Sequence, residues 1–448
     1  IGQMEEKFAD YGEVQIKQLN DRSKMYYTPN KENNVFQLVV QYGAGEREFP
    51  KLGYAAQLMN NAGIMGAYEP QELKEELSKL NATCHVTADD DNLYIIMEGY
   101  EATLPQACQL LSRQILMPKL DEKQLARLKG SAMGMRQQRK DNVSILNEAL
   151  RQYMLYGEKS DYIKELTDKE IYELQISELT GDINRASNYE AKVFFTGTLP
   201  FDQVYDILSK NLPLVANERP SNSPQAKDMM PVTENTVYFL PNNDAEQAQI
   251  HLYIPMQKAD KKDDVLRSAF NQYFGLDFTG IVLNEIREKR SMAYTAYAFV
   301  GTQGIAGKAS YLRGYIGTQN DKANDALDVL MGLVNDMPKN PERIDNIKSY
   351  LRQAMLTSHP SFRNKAMELV DLGYRGYTDD PAKENLPKVD ALTFDDIVKF
   401  YEENIKDKPY CISIMGNPKN IDLKRLEKFG KVVKLNERKL FNTKDALF

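Results

Sequence analysis

The sequence predicts an α+β protein made of two homologous domains, each a mostly antiparallel sheet with helices packed on one face. Three observations lead there. Short apolar strand-like runs cluster apart from longer helical periodicities, the pattern of helices layered on a sheet. The chain has 448 residues, more than one hydrophobic core normally serves. Two segments about 220 residues apart share one local design.

That shared design is a strand that leaves through glycine and re-enters a helix after proline. Val193-Phe-Phe-Thr-Gly-Thr-Leu-Pro200 precedes a helical run over 201–210, and Cys411-Ile-Ser-Ile-Met-Gly-Asn-Pro418 precedes one over 421–429. Glycine permits the tight exit and proline pre-sets the next entry. Upstream of each strand lies a second matched signal. Thr167 with Glu170, and Thr393 with Asp396, have the capping-box spacing of a helix start. Two matched pairs in the same order indicate a duplicated unit.

The remaining elements fit this plan. In the first unit, 13–18 and 35–42 read as strands, 51–61 and 70–80 as helices. Residues 84–86 and 93–98 read as strands around the polar turn Asp89-Asp90-Asp91-Asn92, and long helical patterns fill 104–155. In the second, 237–240 and 249–255 are strands and 263–275 a helix. Strands over 291–300 and 310–317 follow, then helices over 322–374. Pro220, Pro224 and Pro231, with Ser and Asn between them, mark a join. The expected division is 1–216, a linker over 217–233, and 234–448.

Composition narrows the function. With 42% hydrophobic and 27% charged residues the chain is an ordinary globular protein. A net charge of −7 without a basic stripe argues against a nucleic-acid partner. No apolar run is long enough for a transmembrane segment. Cys84, Cys108 and Cys411 form no C-x-x-C pair and read as buried free thiols. The chain starts at Ile1 without an initiator Met, so it reads as part of a longer polypeptide.

The chemistry-bearing patterns are thin. A zinc hydrolase needs at least three N, O or S ligands, usually two of them on one helix face. The three histidines, His85, His251 and His359, are far apart in sequence, and each reads as a structural residue. No nucleophile elbow, P-loop or dinucleotide fingerprint is present. The Asp89–Asp91 run lacks the EF-hand spacing and reads as a solvated hairpin turn.

Two segments resemble a known family. Val39-Val-Gln-Tyr-Gly-Ala-Gly-Glu-Arg-Glu-Phe-Pro-Lys-Leu-Gly-Tyr-Ala-Ala-Gln-Leu-Met-Asn60 resembles a domain start in the insulysin, pitrilysin and mitochondrial processing peptidase family, the inverzincin zinc peptidases. There the following helix bears H-x-x-E-H. Aligning Gly53-Tyr54-Ala55 on that helix start puts Ala56 and Asn60 at the two histidines and Met59 at the catalytic glutamate. The third ligand falls at Met135. None of the four suits a zinc site, so the resemblance implies a degenerate copy with no metal in this chain. Leu283-Asn-Glu-Ile-Arg287-Glu-Lys-Arg-Ser-Met-Ala-Tyr294 resembles the segment through which the family's non-catalytic half contributes an arginine and a tyrosine to its partner's active site. These match Arg287 and Tyr294, with Ser291 in place of the usual glycine.

The resemblance implies a clamshell peptidase of two halves that degrades peptides. The zinc and its ligands would sit in the other half, and this half would close the chamber. Whether that half is fused or separate stays open, and this chain alone would be inactive. The rival expectation is a non-enzymatic scaffold subunit of the same fold. Localisation cannot be read from the residues; the family resemblance alone implies the bacterial periplasm or cell envelope. The stretch from Gly301 to Gly307 is similar to a glycine-rich loop of some relatives, and a hairpin connection explains it equally well.

Overall fold

Two six-stranded sheets organise the chain. The computed structural model describes residues 7–212, 214, 217–444 and 446; Ile1, and the reading of a longer polypeptide built on it, lies outside them. The first sheet contains β1 (Gln15–Gln18), β2 (Lys24–Pro29), β3 (Val35–Tyr42), β5 (Thr83–Ala88), β6 (Leu93–Tyr100) and β8 (Ala191–Gly197). A small separate ribbon pairs β4 (Gly63–Ile64) with β7 (Pro118–Lys119). The second sheet contains β9 (Thr236–Pro241), β10 (Gln247–Lys258), β11 (Thr295–Gly301), β12 (Ala309–Gln319), β13 (Cys411–Gly416) and β14 (Lys431–Lys434).

The strand orders are β1-β2-β8-β3-β6-β5 and β14-β9-β13-β10-β12-β11. Strand by strand, β9, β10, β11, β12 and β13 stand where β2, β3, β5, β6 and β8 stand. Most neighbours are antiparallel, and both sheets share one parallel pair, β2 with β8 and β9 with β13. Only the far outer strand differs: β1 runs antiparallel to β2, whereas β14 runs parallel to β9. The duplication read from Gly197 and Gly416 is thus a repeat of topology.

The helices repeat as well. The first half has α1 (Leu52–Met59), α2 (Pro70–Lys79), α3 (Leu104–Leu116), α4 (Glu122–Gln137), α5 (Val143–Tyr156), α6 (Asp161–Lys164), α7 (Asp168–Tyr172), α8 (Ile176–Ala186) and α9 (Phe201–Asn211). The second has α10 (Asp264–Phe274), α11 (Ile281–Leu283), α12 (Ala323–Asn335), α13 (Ile344–Thr357), α14 (Lys365–Tyr374), α15 (Pro381–Ala391), α16 (Phe394–Asn404) and α17 (Leu423–Leu426). Both capping boxes form. Thr167 and Glu170 exchange side chain–backbone bonds at 3.0 Å each, and Thr393 and Asp396 do so at 3.3 and 2.9 Å.

Some expected elements change. The helical stretch over 104–155 is three helices, because capping residues Asp121 and Asn142 restart it. The strand expected over 291–300 begins only at Thr295, and the helix expected over 421–429 shrinks to α17 and a 3-10 turn. β2 has no counterpart among the expected strands.

Each half packs its own helices on one face of its sheet. Phe36, Leu38, Val193 and Phe195 lie in the first of these cores, and Ile250, Leu252, Ile412 and Ile414 in the second. The opposite faces are covered across the halves. On α5, Leu146, Ala149, Leu150 and Tyr153 recur at helical spacing and pack on Leu240 and Met415 of the second sheet. On α14, Ala366, Leu369 and Val370 pack on Tyr26, Val39 and Phe194 of the first. The fifth helix of each half therefore closes the sheet of the other. This explains why β10 and β13 read as near-continuous apolar runs instead of alternating: both faces are buried.

Two further segments bind the halves. Ala9 N–H donates to Asp380 Oδ2 at 2.8 Å, anchoring the first described residues on α15. The segment over 217–233 is an extended strap, with Asn222 N–H on Gly43 O of the first half at 2.7 Å and Met230 O accepting from Tyr253 O–H of the second at 2.8 Å.

His251 lies inside the α5 interface, 3% exposed, with Nε2 donating to Asn147 Oδ1 at 2.8 Å and Nδ1 without a partner. Desolvation, with Arg151 and Arg313 nearby, holds its imidazole down to about 3. The unfolded chain then takes up a proton below about pH 6.5 that the folded chain refuses. Stability is full above that pH and falls as pH drops towards the folded value. Urea midpoints measured from pH 7 downward should fall more steeply for the wild type than for His251→Gln, by up to about 1.4 kcal/mol per pH unit. Parallel slopes would contradict the assignment.

Candidate functional site

The turn after β3 positions the first candidate region. Glu46 and Arg47 donate their backbone N–H groups to Asp89 O at 2.9 Å and Asp90 O at 3.0 Å, so this turn lies flush on the β5–β6 hairpin. A side chain at Gly45 would have its Cβ 2.3 Å from Asp89 O, which is why glycine stands there. Asp89–Asn92 is the hairpin turn the sequence indicates, and Arg47 Nε pairs with Asp91 Oδ1 at 3.0 Å.

α1 then runs with Leu52, Ala55, Ala56, Leu58 and Met59 against the core and Tyr54 and Gln57 turned outward. The four positions aligned with a zinc site do not converge. Ala56 and Met59 are 1% and 2% exposed. Met59 and Asn60 border a groove of about 280 Å³ beside β5. Met135, 65% exposed on α4, belongs to a different cleft of about 890 Å³ on the other side of α1.

That larger cleft is strongly charged. Its cations are largely engaged: Arg136 with Asp168 at 2.7 Å, Arg139 with Glu165, Lys227 with Asp161. Glu46 is the exception among the acids, because no donor among the described residues reaches its carboxyl. Burial, then Asp90, Asp89 and Asp161, push that carboxyl up to about 7. Sequence reasoning passed over Glu46, since an acid between Gly45 and Arg47 looks like an ordinary surface charge.

The histidines stay apart. His85 is exposed on β5, His251 is buried under α5, and His359 is exposed between α13 and α14. Among the described residues no group of three His, Cys, Asp or Glu side chains could hold a metal ion. Cys108 and Cys411 are buried and Cys84 half-buried; all three are free, and burial pushes each thiol up to about 12.

The second region is the segment from Leu283 to Tyr294. Ile286 is fully buried in the core and anchors it. Asn284–Glu288 is a turn of π-helix, closed by Lys289 N–H on Asn284 O at 2.9 Å. Such turns are rare and cluster at functional sites. Glu285 takes Lys289 at 2.7 Å and Arg290 at 2.6 Å, which hold its carboxyl below the usual range. Arg287 is left exposed, with only a 3.7 Å approach to Glu288. Ser291 then adopts φ 50°, the left-handed turn for which the family's segment has glycine. Gly317 O accepts the Tyr294 N–H at 2.9 Å, while the Tyr294 ring stands 52% exposed, its hydroxyl accepting from Gln319 Nε2 at 3.3 Å. Arg287 and Tyr294 are thus both solvent-facing on one anchored turn. Gly301–Gly307 is the connection of the β11–β12 hairpin.

Residues 187–351, which include this turn, match the family model described as the peptidase M16 inactive domain. Over that stretch the chain is similar to a peptidase M16 inactive domain. The resemblance to the non-catalytic side of the insulysin and pitrilysin family is thereby borne out. A peptidase M16 inactive domain from Pseudomonas fluorescens superposes with a TM-score of 0.70 at 16% identity, covering 90% of this chain and 98% of that one. A mutant of the ferredoxin protease FusC, solved with Arabidopsis ferredoxin, matches with a TM-score of 0.70 at 12% identity, covering 90% of this chain and 45% of that one. The periplasmic protease PqqL from Escherichia coli gives 0.67 at 12% identity, with 90% and 46% covered. This chain therefore spans less than half of those two proteases, and at such identities the likeness concerns the fold. No curated protein matches the sequence.

Left-handed backbone costs a non-glycine residue about 1 kcal/mol. Ser291→Gly should therefore raise the unfolding free energy measured in urea by a net 0.5–1 kcal/mol, roughly. A loss of stability would show that the Ser291 side chain, and not the backbone, holds the turn.

Proposed function

We propose that this M16 half closes against a zinc-bearing half and presents Arg287 and Tyr294 to a peptide being cleaved there. The observation that carries the reading is the turn from Arg287 to Tyr294. It lies inside the matched inactive domain, is anchored by Ile286, and leaves two donors facing solvent with little intramolecular engagement. Support also comes from the lengths: the fold recurs within two proteases that are each about twice as long as this chain.

In this reading the zinc and its ligands belong to the other half, where the metal would polarise the scissile carbonyl and activate water. The residues of this chain act by donation. The Arg287 guanidinium offers a planar set of N–H groups to substrate carbonyls, and the Tyr294 phenol offers one O–H to oxygen that gains charge in the transition state. Neither group needs to touch the metal. Because both lie on this half, they reach the substrate only in the closed assembly, and closure gates turnover. Peptides small or unfolded enough to enter the chamber are the expected substrates.

In the assembled two-half enzyme, Tyr294→Phe should lower kcat about a hundredfold, the usual effect of deleting one transition-state donor. Zinc content and thermal stability should not change. Full activity in that variant would remove the catalytic role and leave a scaffold role for this half.

A further inference from the structure

β5 and β11 are outer strands, each paired on one side only. A bare outer strand presents alternate N–H and C=O groups to any extended chain that comes alongside. On β5 the outward-facing residues are Cys84, Val86 and Ala88, since the direction of backbone groups alternates along a strand. The central one is already occupied. Asn60, at the end of α1, accepts the Val86 N–H on Oδ1 at 2.8 Å and donates from Nδ2 to Val86 O at 2.9 Å. A primary amide here copies the pair of bonds that a neighbouring strand would make.

The second sheet has the same device. Asn271 on α10 accepts the Val300 N–H at 2.7 Å and donates to Val300 O at 2.9 Å. α10 is the counterpart of α1, and β11 of β5, so the two clips occupy equivalent places in the duplicated fold. The position aligned with the second histidine of a zinc helix is therefore, in this chain, a clip on a sheet edge.

We infer that Asn60 and Asn271 are edge plugs, each closing a latent site for an extended peptide strand. The two differ in depth. On β11 the next outward residue is also held, Ala298 N–H donating to Gly275 O at 3.0 Å. On β5, among the described residues, no group outside the sheet engages the outward backbone of Cys84 or Ala88. Beside it runs the groove of about 280 Å³, where Leu73 and Leu77 of α2 face Met59 and Asn60. That groove has room for an apolar side chain of an added strand. β5 is thus the edge that one substitution opens, while β11 stays shut by its second contact. This inference is independent of the role proposed for Arg287 and Tyr294.

The test uses the full chain and a fluorescein-labelled peptide of alternating threonine and valine, read by anisotropy. Asn60→Ala should bind it at least tenfold more tightly than the wild type, and Asn271→Ala should not. Binding to Asn60→Ala should vanish when alternate peptide nitrogens are methylated. Equal binding by wild type and a folded Asn60→Ala overturns the inference, as does a gain in Asn271→Ala alone. Should Asn60→Ala fail to fold, Asn60→Asp keeps the acceptor for Val86 N–H, loses the donor, and should show an intermediate gain; none overturns the inference. In the wild type, amide exchange offers a check that needs no variant. The Val86 N–H should exchange more slowly than those of Cys84 and Ala88, and equal rates would show that the plug does not hold.

Discussion

The structure depends on an exchange: each sheet has two apolar faces, and its own half covers only one. α5 leaves the first half to cover Leu240 and Met415, and α14 leaves the second to cover Val39 and Phe194. Each large apolar side chain so buried contributes about 1.5–3 kcal/mol relative to exposure. Separating the halves would strip both sheets at once, so the duplicated units behave as a single body. The strap over 217–233 follows the same seam, bonded to Gly43 of the first half and to Tyr253 of the second. His251 sits neutral within that seam because a charge there would have neither solvent nor an anionic partner.

With the central strands of both sheets covered on both faces, the surfaces left for function are edges, ends and clefts. The two copies treat these differently. At the α1 and α10 ends, both outer strands carry an asparagine clip, so the shared inheritance there is closure. At the turn into β11 the second copy has developed a π-helical segment with exposed Arg287 and Tyr294. The first copy instead keeps a charged cleft between α1 and α4, in which Glu46 has no partner among the described residues. The duplicated fold is in this sense asymmetric by surface and symmetric by core.

Much of the fold was legible in the sequence because it is written in local chemistry. Capping boxes at Thr167 and Thr393, glycine exits at Gly197 and Gly416, and alternation in β5 and β6 act over a few residues. β2 escaped because Lys24–Pro29 is short and ends in proline, features that do not mark a strand next to a sheet centre. The candidate site was less legible. Arg287 and Tyr294 came from a motif resemblance, and the structure leaves both side chains exposed. Ala56, Met59, Asn60 and Met135 also came from a motif, but the helical period turns the first two into the core and leaves Met135 in another cleft.

The sequence by itself determined the duplicated α+β plan, its main strands and helix starts, and the segment holding Arg287 and Tyr294. Only the tertiary structure decided that the fifth helix of each half crosses to the other sheet, and that Asn60 and Asn271 seal two edges. The reason is physical. Capping, turn and amphipathic signals are set by neighbours along the chain. The partner of an apolar face or of a side-chain amide is set by residues distant in sequence, which no local pattern encodes.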